Sequence, residues 1–315
     1  MIKIKVSGKC FGDFTLRQTP GSKGIWDQCQ FYLNDDTKEV DFWVVYGNID
    51  RAQTALCPPE NTIFMSGEPP AIKTYPDQYL AQFETVMICD PASKHPNIIS
   101  THGGAQWIYG LGFGPNREIS ALIDYDQLKA EPIVPKTKLI STICSKKATT
   151  DEHRSRLRLV EHLSNYFGGD MDIFGRGFHE VVDKREAIDD YRYVIVMENS
   201  CLDDYWSEKL ADCYLGRAYP LYSGCTNLSK YFPENTATRI DTSKWEETVE
   251  TIKATIGANQ YETSYSDILK CRELILDKHN LFAVLSDFCQ EKHKQGQVKQ
   301  RITLRPKKKK RLGIF

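Results

Sequence analysis

The sequence predicts an α/β protein of two units, each built on a doubly wound parallel sheet. Two observations carry this. Short β-rich runs end in Gly, Pro or Asp, and in the second half they alternate with helical stretches. The 315 residues also exceed one ordinary core, for which roughly 100–200 residues is usual. Hydrophobic content of 41%, charged content of 26% and a mean hydropathy of −0.46 are those of a globular chain in water. No apolar run reaches about 18 residues, so no transmembrane helix is predicted.

The N-terminal "MIKIKVSGKCFGDF" reads as an alternating strand and lacks the long apolar core of a secretory signal. "DFWVVYG" (41–47), "NTIFMSGEP" (61–69) and "TVMICDP" (85–91) read as buried strands. "QLKAEPIVPKTK" (127–138), with two prolines, reads as a linker. A second unit then opens. "KLISTICS" (138–145) is a strand, and 150–169 is a helix with Thr150 or Asp151 as N-cap and Gly168 as stop. "MDIFGRG" and "YRYVIVMEN" (191–199) are strands, 204–216 a helix, "YPLYSG" (219–224) a strand and 242–257 a capped helix. A long helix is expected over roughly 264–294. The expected domains are 1–135, 136–290 and a basic tail, 291–315.

The tail holds ten Lys/Arg against one Asp/Glu, a net of +9, in a chain whose formal charge is −1. The basic character therefore belongs to the tail, not to the acidic body. Such a tail admits three uses: a solvated end, contact with an anionic membrane surface, or a nucleic-acid or import-type basic run. The acidic body argues against nucleic acid as a partner. Ten cysteines show no C-x-x-C pair and no regular framework, so they read as reduced, largely buried thiols of a cytoplasmic protein.

The segment "VIVMENSCLDDYWSEKLADCYLG" (194–216) is the most informative. An apolar strand delivers Glu198 and Asn199 to a strand end, and a helix opens nearby with Glu208 and Lys209. Free N–H groups at a helix start favour an anion, and a lysine there adds a full charge. Arg156, early in the preceding helix, is a second basic group placed for a diphosphate, and Glu68 is a further strand-end carboxylate. A ligand at the carboxyl ends of the strands is what doubly wound sheets accommodate.

The sequence 197–233 resembles the donor motif of glycosyltransferase family 10, the α-1,3/1,4-fucosyltransferases, in the manner of soluble bacterial members. The match runs through Glu198-Asn199-Ser200, then Tyr205-Trp206-Ser207-Glu208-Lys209, then Ala218-Tyr219-Pro220, then Phe232-Pro233. Residues 141–167 followed by 170–177 are similar to the start of the same domain, and "SGEPP" (66–70) is the best match in the N-terminal half. The resemblance implies the GT-B architecture, two Rossmann-like domains facing a cleft. It implies inverting transfer of L-fucose from GDP-fucose to a hydroxyl of an oligosaccharide or glycoconjugate, proteins included, with no obligatory metal. It also implies roles: Glu68 as general base, Arg156 and Lys209 on the pyrophosphate, Tyr205 and Glu208 on donor phosphate or hydroxyls, and Asn199 and Glu198 in the same pocket. The basic tail of bacterial relatives implies peripheral binding at the inner face of a membrane. The rivals are the same fold with another nucleotide sugar, and a non-catalytic carbohydrate- or nucleotide-binding protein.

Two further motifs are weighed. Asp170-Met171-Asp172 imitates the Asp-x-Asp metal site of other glycosyltransferases, but a helix-to-strand turn accounts for both aspartates. The glycine-rich 101–116 lacks Gly-Lys-Ser/Thr and is no P-loop. It reads either as an acceptor-side loop, with His102, Trp107 and Tyr109 offering sugar-binding faces, or as a packed loop.

Overall fold

The computed structural model describes residues 1–104, 106–114, 116, 118–146 and 151–307, without the side chains of 13 and 151–153. Two compact units appear: Met1–Gly104 with the chain from Leu281 onward, and Ala105–Asn280.

The first unit is a seven-stranded sheet. Its strands are β1 (Ile2–Gly8), β2 (Ile25–Trp26), β3 (Cys29–Leu33), β4 (Phe42–Tyr46), β6 (Thr62–Met65), β7 (Thr85–Met87) and β8 (Ile98–Ile99), while β5 (Gln53–Cys57) stands apart. The order is β2-β3-β1-β4-β6-β7-β8, parallel except for β2 at the edge. Helix is scarce between these strands: α1 is one turn, Asp77–Leu80, and the other crossovers are loops and 3-10 turns. Phe42, Trp43, Val44 and Val45 are buried in succession, as suits a strand covered on both faces.

The second unit begins with a hairpin, β9 (Leu111–Phe113) and β10 (Ile119–Leu122), then α2 (Tyr125–Ala130). The strands β11 (Lys138–Ile143), β12 (Met171–Phe174), β13 (Tyr191–Met197), β14 (Tyr219–Ser223) and β15 (Thr238–Arg239) form one parallel sheet, order β12-β11-β13-β14-β15. Helices α3 (Asp151–Phe167), α4 (Glu208–Leu215), α5 (Trp245–Gly257), α6 (Gln260–Thr263) and α7 (Tyr265–Asp277) complete it. Counted along the chain, this order is 2-1-3-4-5, whose direction of winding reverses between β11 and β13. Val194 to Met197 are buried throughout, each such side chain contributing roughly 1.5–3 kcal/mol relative to exposure.

Three boundaries differ from the sequence expectation. Residues 127–138 do not link the units; they belong to the second. The Glu131 carboxylate accepts from Arg185 at 3.1 Å, Arg217 at 3.3 Å and Arg272 at 3.0 Å, and these arginines pin the proline-rich stretch down. The long helix over 264–294 is two helices, α7 and α8 (Leu281–Lys292), with a break where buried Asn280 donates to the Leu276 carbonyl. The break also returns the chain to the first unit. Finally, residues 300–304 are not a solvated tail. They form β16 (Gln300–Leu304), antiparallel to β5 over five residue pairs, and Lys307 donates from its N–H to Asn48 and from its Nζ to the Thr74 carbonyl. β5 offers a free edge, and strand pairing holds the basic segment there despite its charge. Residues 308–315, and the Thr150 or Asp151 cap, lie outside the described residues.

Candidate active site

At the carboxyl ends of β11 and β13 lies a cavity of about 340 Å³ within the second unit. Cys144 and Ser145 after β11, Gly175 and Arg176 after β12, Asn199 after β13, Glu208, Lys209 and Asp212 on α4, with Arg156 and Lys184, supply its polar wall. This is the position at which a sheet of this order opens a crevice.

The wall is held by a compact network. Ser207 is the N-cap of α4, its Oγ accepting from the Lys209 N–H. The N–H and hydroxyl of Ser207 donate to the Glu198 carboxylate at 2.9 and 2.6 Å. The end of β13 is thereby welded to the start of α4, and removing the cap would cost about 1 kcal/mol. Lys209 Nζ donates to Glu208 at 3.1 Å and to Ser207 Oγ at 3.1 Å, and lies 3.5 Å from Glu198. Arg156 donates to Asn199 Oδ1 at 3.4 Å. Lys184 donates to the buried Asp212 at 2.6 Å, and Asp212 also accepts from the N–H groups of Ile108 and Tyr109.

The charges follow from these contacts. Burial raises the Glu198 pKa, against the pull of Lys209 and the Ser207 donors. Burial acts on Glu208 in the same sense, but Lys209 and Lys184 outweigh it and hold the carboxyl down at about 2. Burial works against the Lys209 charge, yet Glu208 and Glu198 raise its pKa above the ordinary range. The pocket is therefore a preformed cationic cage balanced by carboxylates.

Of the residues singled out from the sequence, Arg156, Asn199, Glu208 and Lys209 come together here. Glu198 sits beneath them, its side chain fully buried. Tyr205 is 2% exposed and outside the lining, since α4 begins at Glu208 and not at Asp204. The preceding turn passes through Asp204 at φ 60°, where the Asp204 Oδ1 collects Lys230, Tyr231 and Asn227. Glu68 belongs to the first unit, exposed on the turn after β6, with its N–H donating to Ser66 Oγ at 3.2 Å. That turn is pinned by close backbone packing: a Cβ on Gly103 would stand 2.1 Å from the Gly67 Cα. Tyr46 donates to the Gly103 carbonyl at 2.9 Å.

Sequence reasoning missed Ser145, Arg176, Lys184 and Asp212. The rule that ligands sit beyond strand ends finds the first two in "TICS" and "FGRG"; Lys184 and Asp212 leave no local signal. His102, Trp107 and Tyr109 are 3%, 2% and 1% exposed, so the packed-loop reading holds and they offer no sugar-binding face. Asp172 accepts from Tyr191 at 2.5 Å and Lys138 at 3.1 Å. Among the described residues no group of three His, Cys, Asp or Glu is arranged for a metal ion. No described helix is long and apolar enough to cross a membrane.

Two largely parallel sheets and a cationic crevice at a strand switch fit the GT-B fold of glycosyltransferases. A solved "alpha1,3-Fucosyltransferase with GDP" is similar over 89% of this chain and 92% of that one, at 15% identity and a TM-score of 0.50. Similarity also extends to the same description "with GDP-fucose" (15% identity, 89% and 92% covered, TM-score 0.47) and to Anabaena Alr3699/HepE "in complex with UDP-glucose" (8%, 92% and 99%, 0.49). No curated protein sequence matches the chain. The sequence signature of glycosyltransferase family 10 (fucosyltransferase), C-terminal part, matches residues 133–303, more than half of the chain. The chain belongs to that family.

Proposed function

We propose that this enzyme transfers L-fucose from GDP-fucose, with inversion, to a hydroxyl of an oligosaccharide or glycoconjugate. The observation that carries the reading is the cage at the β11/β13 switch, where Arg156 and Lys209 stand ready for a diphosphate in a member of the fucosyltransferase family. In the reaction the acceptor oxygen bonds to the anomeric carbon as the bond from that carbon to the β-phosphate oxygen breaks. Glu68 takes the acceptor proton. The charge gained by GDP is stabilised by Arg156 and Lys209, already fixed in place. Asn199 orients Arg156, Glu208 keeps Lys209 charged, and buried Glu198 and Tyr205 brace the helix start. The test is thermal stability against a panel of nucleotides. GDP at a hundredfold excess over its Kd should stabilise the protein by roughly 2.7 kcal/mol, and UDP at the same concentration by less. Equal stabilisation by the two would overturn the guanine assignment.

We propose also that the basic run at Lys307–Arg311 touches an anionic membrane surface, where each Lys or Arg contributes about 1 kcal/mol. The informative truncation ends at Lys307, which leaves β16 intact. It should lose co-sedimentation with phosphatidylserine vesicles at low salt while keeping transfer to a soluble acceptor; unchanged sedimentation would remove the membrane role.

A further inference from the structure

Of the four basic side chains in the cavity wall, three are engaged: Arg156 with Asn199, Lys184 with Asp212, and Lys209 with Glu208. The fourth, Arg176, is exposed at the rim, and its guanidinium donates to no described residue. Its backbone is nonetheless firmly set. Gly175 and Gly177 on either side adopt φ of +109° and +87°, which other residues rarely reach. A Cβ on Gly175 would stand 2.4 Å from the Cys144 carbonyl oxygen, so the turn after β12 lies directly against the chain leaving β11. The Gly175 N–H donates to the His179 carbonyl and the Lys146 N–H to the Arg176 carbonyl, at 2.8 and 3.1 Å. A rigid turn thus presents to the cavity a cation that has no partner among the described residues.

Its place along the wall indicates which part of a ligand it meets. Asn199, Glu208 and Lys209 sit on the β13 side, while Arg176 follows β12, with β11 between. Two strand spacings separate those ends, roughly 10 Å. That is comparable with the reach from the phosphates to the base edge of a nucleoside diphosphate. With the phosphates at Lys209 and Arg156, the base falls toward Arg176. A guanidinium is the natural partner of guanine, donating in bidentate fashion to O6 and N7. Uracil has no such edge, and adenine places an N–H₂ donor where guanine has O6.

We propose that Arg176 is the residue that selects a guanine nucleotide by donating to O6 and N7 of the base. This rests on the reading of the cavity as the site of a GDP-sugar.

The experiment is calorimetric titration of the full chain and of Arg176→Ala and Arg176→Lys with GDP, UDP, 7-deaza-GDP and inorganic pyrophosphate. In the wild type, GDP should bind more tightly than 7-deaza-GDP, which lacks the N7 acceptor. Arg176→Ala should weaken GDP by roughly 5–150-fold, the range expected of a bidentate base contact. It should leave UDP and pyrophosphate unchanged and bring GDP and 7-deaza-GDP to equal affinity. Arg176→Lys, which keeps charge without the fork, should recover only part of the loss. A parallel fall for GDP, UDP and pyrophosphate would make Arg176 a phosphate ligand and overturn the proposal. Unchanged GDP binding would overturn it too. A wild type without preference for GDP over UDP would instead defeat the underlying donor assignment, a result visible before any variant is made.

Discussion

The two units share a winding scheme and use it differently. In both, the first strand lies inside the sheet, the next one or two strands extend to one side of it, and later strands run out the other way. The second unit clothes its sheet with helices, and at the strand ends it gathers Arg156, Lys184, Lys209, Glu208 and Asp212 within one cavity wall. The first unit crosses between strands mainly through loops, and offers an exposed carboxylate, Glu68, on a turn locked by Gly67 and Gly103. A helix start with free N–H groups and a lysine suits an anion that must be held. An exposed carboxylate on a short pinned turn suits a proton that must be taken and released. The contrast gives each unit its own measurable: affinity for the second, turnover for the first.

The sharpest way to break this contrast is Glu68→Gln, which keeps shape and removes the basic oxygen. Turnover should fall about 10²–10⁴-fold, with GDP affinity held. A variant that still turns over would return Glu68 to the surface and leave the first unit without an assigned chemical role.

A smaller effect, of opposite character, is expected from the cage. Arg156→Ala and Lys209→Ala should each weaken GDP binding by on the order of 1.5–3 kcal/mol, the worth of a charge-assisted hydrogen bond. If titration finds GDP affinity intact in both, the diphosphate binds elsewhere.

The smallest effect is one of pH. Glu208 titrates at about 2 in the folded protein against an ordinary 4.5. A depressed carboxyl stabilises the fold above its unfolded pKa, and that contribution is lost as pH falls from about 4.5 toward 2. Glu198, whose pKa is raised, acts the opposite way, favouring the folded state while it keeps its proton. Glu208→Gln should therefore flatten the acid limb of the Tm-against-pH curve. An acid limb as steep as that of the wild type would mean that the Glu208–Lys209 pair contributes nothing to it.

Much of the second unit was legible in the sequence because its signals are local. A run such as "VIVM" bounded by polar residues is a buried strand, and "EKLADCYLG" is helical up to its glycine stop, although its start lies at Glu208 and not at Asp204. Arg156, Asn199, Glu208 and Lys209 could be read because they stand at such element ends, where backbone direction alone aims them at one crevice. The places that resisted are governed by contacts distant in sequence. Pro132 and Pro135 suggested a linker, but three arginines at 185, 217 and 272 converge on Glu131 and fasten the stretch to the second unit. Charge suggested a free tail, but β5 supplied an edge some 240 residues earlier in the chain, and backbone pairing outweighed the pattern of lysines. Tyr205 lay close enough to the helix start to suggest a ligand, yet the Asp204 turn folds it into the core. The sequence by itself determined which segments are strands and helices and which charges stand at their ends, because those depend on neighbours within a turn or two. Only the tertiary structure decided which of those ends meet, which carboxylate is buried and which arginine finds no partner among the described residues, because these depend on packing between elements that the chain brings together only when folded.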